Sequence, residues 1–166
     1  MQRRDFLVMG SVLSLSSYLH AETVTAQQKA FRQVSSLIEA VQEHMFPEGG
    51  KLPSAHAMHT IKFTEETIFH PTYDRDIRAF VIEGAQELSK REKGKFLSYT
   101  PQKKEQALRR YEQTDYGSNW LSRIMTLTME ALFSDPVYGS NIKAAGWEAL
   151  HTQGGEPRPK TRYIQL

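Results

Sequence analysis

Between Gly117 and Phe133 the chain carries its most apolar stretch, and an aspartate–proline pair follows almost at once. Trp120, Leu121, Ile124, Leu127, Thr128, Ala131 and Leu132 recur at three- and four-residue steps and cover more than a narrow stripe. That pattern predicts a helix enclosed by its neighbours, central to a bundle. Gly117-Ser118-Asn119 reads as its capping sequence. Pro136 has no N–H and pushes Asp135 away from α geometry, so the helix must end there. Gly139 and Asn141 are residue types that tolerate positive φ, which predicts a second bend within the same few residues. The segment Phe133-Ser134-Asp135-Pro136-Val137-Tyr138-Gly139-Ser140-Asn141, with Gly146-Trp147 close behind, therefore sets turn-formers among large aromatics. It either plugs its own core or presents a surface to another molecule.

The rest of the chain shows the same helical period. Phe31, Val34, Leu37, Ile38, Val41 and Met45 form one face of an amphipathic helix that ends at Phe46-Pro47, and the segment from Pro47 to Pro53 is a loop. Ser54 is placed to cap a second helix with Ala57, Ile61 and Ile68 on its inner face, stopped by His70-Pro71. A third should begin near Asp74 and bury Ile77, Phe80, Val81, Gly84, Ala85 and Leu88, and the charged run from Lys90 to Lys95 is its solvated end. Thr100-Pro101 starts a fourth, with Leu108 and Tyr111 facing inward. Asn141 can cap a short last helix through Leu150, after which Gln153 to Pro159 cannot be helical. No segment sustains strand alternation and none repeats. The expectation is an all-α, irregular bundle of five to six helices.

Chemistry is sparse. A chain of 166 residues with 39% hydrophobic and 24% charged content suits one soluble domain, and a net charge of +2 lacks the basic footprint of nucleic-acid binders. The absence of cysteine excludes disulfides, iron–sulfur clusters, thiol catalysis and covalent C-x-x-C-H haem attachment in this chain. There is no Gly-x-Ser-x-Gly nucleophile setting and no glycine-rich phosphate loop. His56 and His59, three apart on the predicted second helix, would share a face and could ligate a metal. The Glu-x-x-His repeats of bundle metal sites are missing, and nothing brings His44 or His70 to them, so surface histidines are the plainer account. The set Tyr111, Tyr116, Trp120, Phe133, Tyr138 and Trp147 could suggest a cofactor box, but its helical spacing favours core packing. No catalytic, metal-binding or cofactor-binding residue is assigned.

The beginning of the chain sets a compartment. Arg3 and Arg4, followed after one spacer by Phe6 and Leu7, match a twin-arginine export signal, and a mildly apolar run from Val8 to Leu19 follows. That run, broken by Gly10 and serines, is too weak for a membrane span of about 20 apolar residues. Cleavage is possible after Ala21 or after Ala26, and Val24-Thr25-Ala26 fits better. The expected division is a signal peptide over residues 1–26, a helical domain over 27–152 and an extended tail over 153–166.

The run Leu127 to Asn141, followed by Gly146-Trp147, resembles the closing motif of the gluconate 2-dehydrogenase subunit 3 family. There a Phe-x-Asp-Pro-x-Tyr-Gly-Gly-Asn segment precedes a Gly-Trp pair, and Ser140 is the visible departure, standing for the second glycine. Phe46-Pro47, Phe96-Leu97-Ser98 and Thr100-Pro101 resemble family landmarks upstream. The similarity is strong from Leu127 to Trp147 and looser from Val34 to Tyr111. The resemblance implies a small, non-catalytic subunit of a membrane-associated periplasmic dehydrogenase. It marks Phe133, Asp135, Pro136, Tyr138, Gly139, Asn141, Gly146 and Trp147 as motif or partner-interface residues. It also places FAD in a large flavoprotein subunit and haem c in a multihaem c-type cytochrome subunit, with no cofactor in this chain. The twin-arginine translocase would be a further partner, and nucleic acid none.

Overall fold

The computed structural model describes residues 26–162, so the expected export signal up to Thr25, with the expected cleavage site after Ala21, lies outside the described residues, and Ala26 is the first of them. Among the described residues all regular structure is helical. Helix α1 spans 26–45, α2 Thr60–Ile68, α3 Arg75–Arg91, α4 Pro101–Glu112, α5 Asp115–Phe133 and α6 Ala145–Ala149. Short 3₁₀ turns lie at Phe96–Ser98, Pro136–Tyr138 and Ile142–Ala144. This is the expected irregular all-α bundle.

Helix α5 is its axis, packing on α2, α3 and α4. Every apolar position expected inside it, with Thr128, is buried. Its start differs from expectation. Thr114 is the cap, accepting from the Gly117 N–H at 3.0 Å, and Gly117 lies within the first turn. A Cβ on Gly117 would stand 2.1 Å from the Tyr111 carbonyl oxygen, so this glycine serves close packing of the α4–α5 corner rather than capping.

Helices α3 and α5 make a close contact. Trp120 is fully buried, donates its indole N–H to the Val81 carbonyl at 3.0 Å, and lies flat on Gly84, where a Cβ would come within 2.0 Å of the ring. The Tyr111 hydroxyl donates to the Gly84 carbonyl at 3.0 Å, and burial raises its pKa above the usual phenol range — a phenol locked as a donor. Asp74 and Thr100 cap α3 and α4 as expected, each accepting from backbone N–H groups of its first turn.

Helix α2 corrects the sequence-based expectation. The Ser54 hydroxyl does accept from the Ala57 N–H, but the turn it caps breaks at His59, which is left-handed at φ 54°. The helix begins only at Thr60. Ala55 and Met58 face inward where Ala57 was expected, and the buried stripe of α2 is Thr60, Thr64 and Ile68. Two of those are hydroxyls because a polar residue of α1 is buried beside them. Gln42, fully buried, donates to Thr64 at 2.9 Å and accepts from Thr60 at 3.1 Å. Arg78 is also buried, its guanidinium held by the Ile68 and His70 carbonyls and Gln27, with Phe69 beneath it. Groups of this kind are tolerated inside when their hydrogen bonds are complete.

Candidate docking surface

The corner that follows α5 is built by its own backbone chemistry. Asp135 leaves the helix, its carboxylate accepts from the Val137 N–H at 3.0 Å, and Pro136 opens the 3₁₀ turn. Gly139 takes φ 82° and Asn141 φ 47°, the positive-φ backbone of the expected second bend. Lys143 and Ala144 are left-handed as well, so the predicted continuous helix from Asn141 is instead a 3₁₀ turn followed by the five residues of α6.

Asn141 works as a rivet rather than a local cap. Buried completely, it donates its amide to the Ser134 carbonyl at 2.8 Å and accepts from the Gly146 N–H at 2.8 Å. It thereby ties the end of α5 to the start of α6. Gly146 lies against α5 so closely that a Cβ would meet the Leu132 carbonyl oxygen at 2.0 Å. That approach brings Trp147 over the helix end, where its indole donates to the Phe133 carbonyl at 2.8 Å. Gly154 and the Arg158 guanidinium cover the ring. Ser140 puts its hydroxyl to use: fully buried, it donates to the Met58 carbonyl at 2.6 Å and fastens the corner to the irregular turn before α2.

The tail after α6 returns across this corner as a strap. Arg158 pairs with Asp135 at 2.9 Å. Arg162 donates to the Val137 and Tyr138 carbonyls at 3.1 and 2.8 Å and pairs with Glu66 of α2 at 3.2 Å. The hydrogen bond from Arg158, reinforced by the Val137 N–H, holds the Asp135 carboxyl below the usual aspartate range.

Corner, strap and α2 together enclose an open groove of about 520 Å³. Phe63, Thr67 and His70 line it from α2 and its end, Phe133 and Tyr138 from the corner, and Tyr73, Glu130 and Arg162 complete the walls. Glu130 stands at the rim, exposed as a residue. Protein close to its carboxyl still raises its pKa, with Arg123 opposing. The His70 ring accepts from the Thr72 N–H through Nδ1 at 3.2 Å, which leaves the proton on Nε2. That Nε2 is buried and has no hydrogen-bond partner among the described residues.

Of the motif residues, Phe133, Asp135 and Tyr138 face the groove, while Asn141, Gly146 and Trp147 hold the corner that shapes it. Phe63, Thr67 and His70 were not foreseen, although they stand at i, i+4 and i+7, a stripe that flanks the buried one along α2 and just past its end. Arg162 had no local signal at all. The geometric premise of a His56/His59 site fails: both are exposed, His59 lies outside the helix, and His56 pairs with Glu39 at 3.0 Å. Among the described residues no three histidine, aspartate or glutamate side chains are grouped to hold a metal. No described helix is long and apolar enough to cross a membrane.

A family model described as gluconate 2-dehydrogenase subunit 3 matches residues 32–155, which takes in the bundle and the whole corner. No curated protein matches the chain, and no solved structure does.

Proposed function

The chain belongs to the gluconate 2-dehydrogenase subunit 3 family, and on that premise we propose that it is the non-catalytic small subunit of a gluconate 2-dehydrogenase-like complex. In this proposal it supports assembly and twin-arginine export of a flavoprotein subunit that carries FAD and oxidises gluconate or a related sugar or alcohol. A multihaem c-type cytochrome subunit accepts the electrons, and the complex sits on the periplasmic side of the inner membrane. The observation that carries this reading is the family match over residues 32–155. A helical domain over 27–152 with an extended tail over 153–166 is the matching division of the chain.

Physical logic links export to assembly. A flavoprotein closes around its FAD before crossing a membrane, so it must cross folded. A small subunit with a twin-arginine leader (Arg3, Arg4, Phe6, Leu7) can carry such a partner as a bound passenger. The corner suits a docking role because its backbone is fixed by buried side chains, which lowers the ordering cost of binding.

The test is purification of the tagged chain from membranes with its companions identified by mass, beside a variant with Arg3→Lys and Arg4→Lys. A flavoprotein and a c-type cytochrome should co-purify with the natural chain, and the variant should leave both chain and flavoprotein in the cytoplasm. A chain that purifies alone from the periplasm would overturn the subunit role. Normal periplasmic dehydrogenase in the double variant would overturn the carrier role.

A further inference from the structure

Charge is unevenly spread over this chain. The stretch from Lys90 to Lys104 holds five lysines and Arg91 against a single acid, Glu92, while the whole chain nets only +2. It forms the corner between α3 and α4, built on positive φ at Lys93 and Gly94 and on the 3₁₀ turn Phe96–Ser98. The arginines here are already engaged. Arg91 pairs with Glu87 at 2.9 Å, and Arg110 with Glu92 at 3.1 Å, whose side chain is only 11% exposed. Glu105 and Glu112, further along α4, are held by Arg109. The five lysines have no ion-pair partner among the described residues. Lys103 and Lys104 lie in the first turn of α4, where the helix dipole favours acids, so their placement works against local stability. Phe96 is buried and anchors the turn, while its neighbour Leu97 is 52% exposed. The Lys103 ammonium lies 4.1 Å from the centre of the Tyr99 ring and that of Lys104 5.9 Å from the centre of Phe96. These cations therefore gather about the turn that presents Leu97.

We propose that this corner rests on an anionic lipid surface, with Leu97 entering the headgroup layer and Lys93, Lys95, Lys103 and Lys104 against lipid phosphates. Two features select lipid over an acidic protein. The unpaired cations are all lysines, point charges on flexible stems that suit a fluid layer, whereas the fork of arginine suits fixed carboxylates. The residue at the apex is apolar, and a headgroup layer buries such a side chain while its basic neighbours stay with the phosphates. The proposal rests on the proposed function only for a compartment that faces a membrane. Lipid binding and flavoprotein capture use different residues and can fail separately.

The chain has no cysteine, so a single introduced one can be labelled in the full chain. Ser98→Cys, beside Leu97, and the control Gln86→Cys, on the exposed face of α3, each carry an environment-sensitive dye. Vesicles of phosphatidylcholine mixed with phosphatidylglycerol should shift the dye at position 98 to the blue and leave that at 86 unchanged. Pure phosphatidylcholine should shift neither, and salt should reverse the shift. Replacing Lys93, Lys95, Lys103 and Lys104 by glutamine should lower partitioning at least about a hundredfold, and Leu97→Ser about fivefold. Thermal melts check that these surface changes leave the fold intact. The inference falls if the mixed vesicles do not bind, or if they bind with the dye at position 98 unmoved, since another part of the chain then does the binding. It falls also if the fourfold variant binds like the natural chain or if neutral vesicles serve equally well. A dye that responds to polyglutamate and not to vesicles would mark an acidic protein as the partner and overturn it too. A chain that meets vesicles in this way yet captures no flavoprotein would overturn the proposed function and leave this inference standing.

Discussion

Replacing Asn141 by alanine would remove two hydrogen bonds and leave a β-carbon in a left-handed backbone. The Ser134 carbonyl would lose its donor and the buried Gly146 N–H its acceptor, both now at 2.8 Å. Leaving one such group unsatisfied inside costs about 1–3 kcal/mol. At φ 47° alanine adds roughly 1 kcal/mol that asparagine, with its tolerance of this region, mostly avoids. The expected loss is about 4 kcal/mol, a drop in Tm of roughly 8–16 °C for a domain of this size. Asn141→Gly separates the parts: it relieves the backbone, keeps both broken bonds, and should recover about 1 kcal/mol of the loss. Urea unfolding of the purified chain followed by tryptophan fluorescence reads both, since Trp147 sits on the riveted corner. If Asn141→Ala unfolds within about 1 kcal/mol of the natural chain, the corner is held by apolar packing and the rivet is incidental.

Trp147→Ala should cost about 3–5 kcal/mol in the same assay, whereas Tyr138→Ala, half-exposed in the groove, should barely move the melt yet weaken capture of the flavoprotein about thirtyfold. A Tyr138→Ala chain that melts early and still assembles would make the corner core structure only. Gly84→Ala should lose about 2 kcal/mol or more despite alanine's better helix propensity, because the Trp120 ring, bonded to the Val81 carbonyl, has no room to withdraw; a stabilised variant would contradict the close packing. Glu130 has its folded pKa raised, so its charge opposes folding of the lone subunit above the ordinary 4.5 and not below it. Glu130→Gln should therefore be as stable as the natural chain or more so at pH 7, the difference vanishing in acid; a destabilised variant at pH 7 would refute the sign.

Much of the fold was legible because its strongest signals are local. The stripe of α5, the caps at Asp74 and Thr100 and the stop at Asp135-Pro136 each depend on a few neighbouring residues and on backbone rules that tolerate little exception. The misjudged places are those where a distant partner decides. Nothing around Ser54 announces that His59 will turn left-handed. The reason lies in Gln42 and Ser140, remote in sequence, which bond Thr60 and the Met58 carbonyl on either side of it. Gly117 looked like a cap because glycine and serine often are one; its role came from Tyr111 in the preceding helix. The groove was half visible, through the motif aromatics, and half hidden, since its α2 wall is a faint second stripe and Arg162 reaches it from the far tail.

The family match stops at residue 155, while the strap that finishes the groove runs on to Arg162. Arg158 covers the Trp147 ring and pairs with Asp135, whereas Arg162 reaches the bundle through a partly exposed guanidinium whose ion pair with Glu66 is worth little to stability. A change at Arg162 leaves the helical core untouched, yet it redraws the rim of the groove. On the proposed docking role, the residues that shape recognition at this rim are not the ones that build the helical core. Two duplicated copies could keep the same helices and diverge in the company they keep by drifting in one short terminal segment.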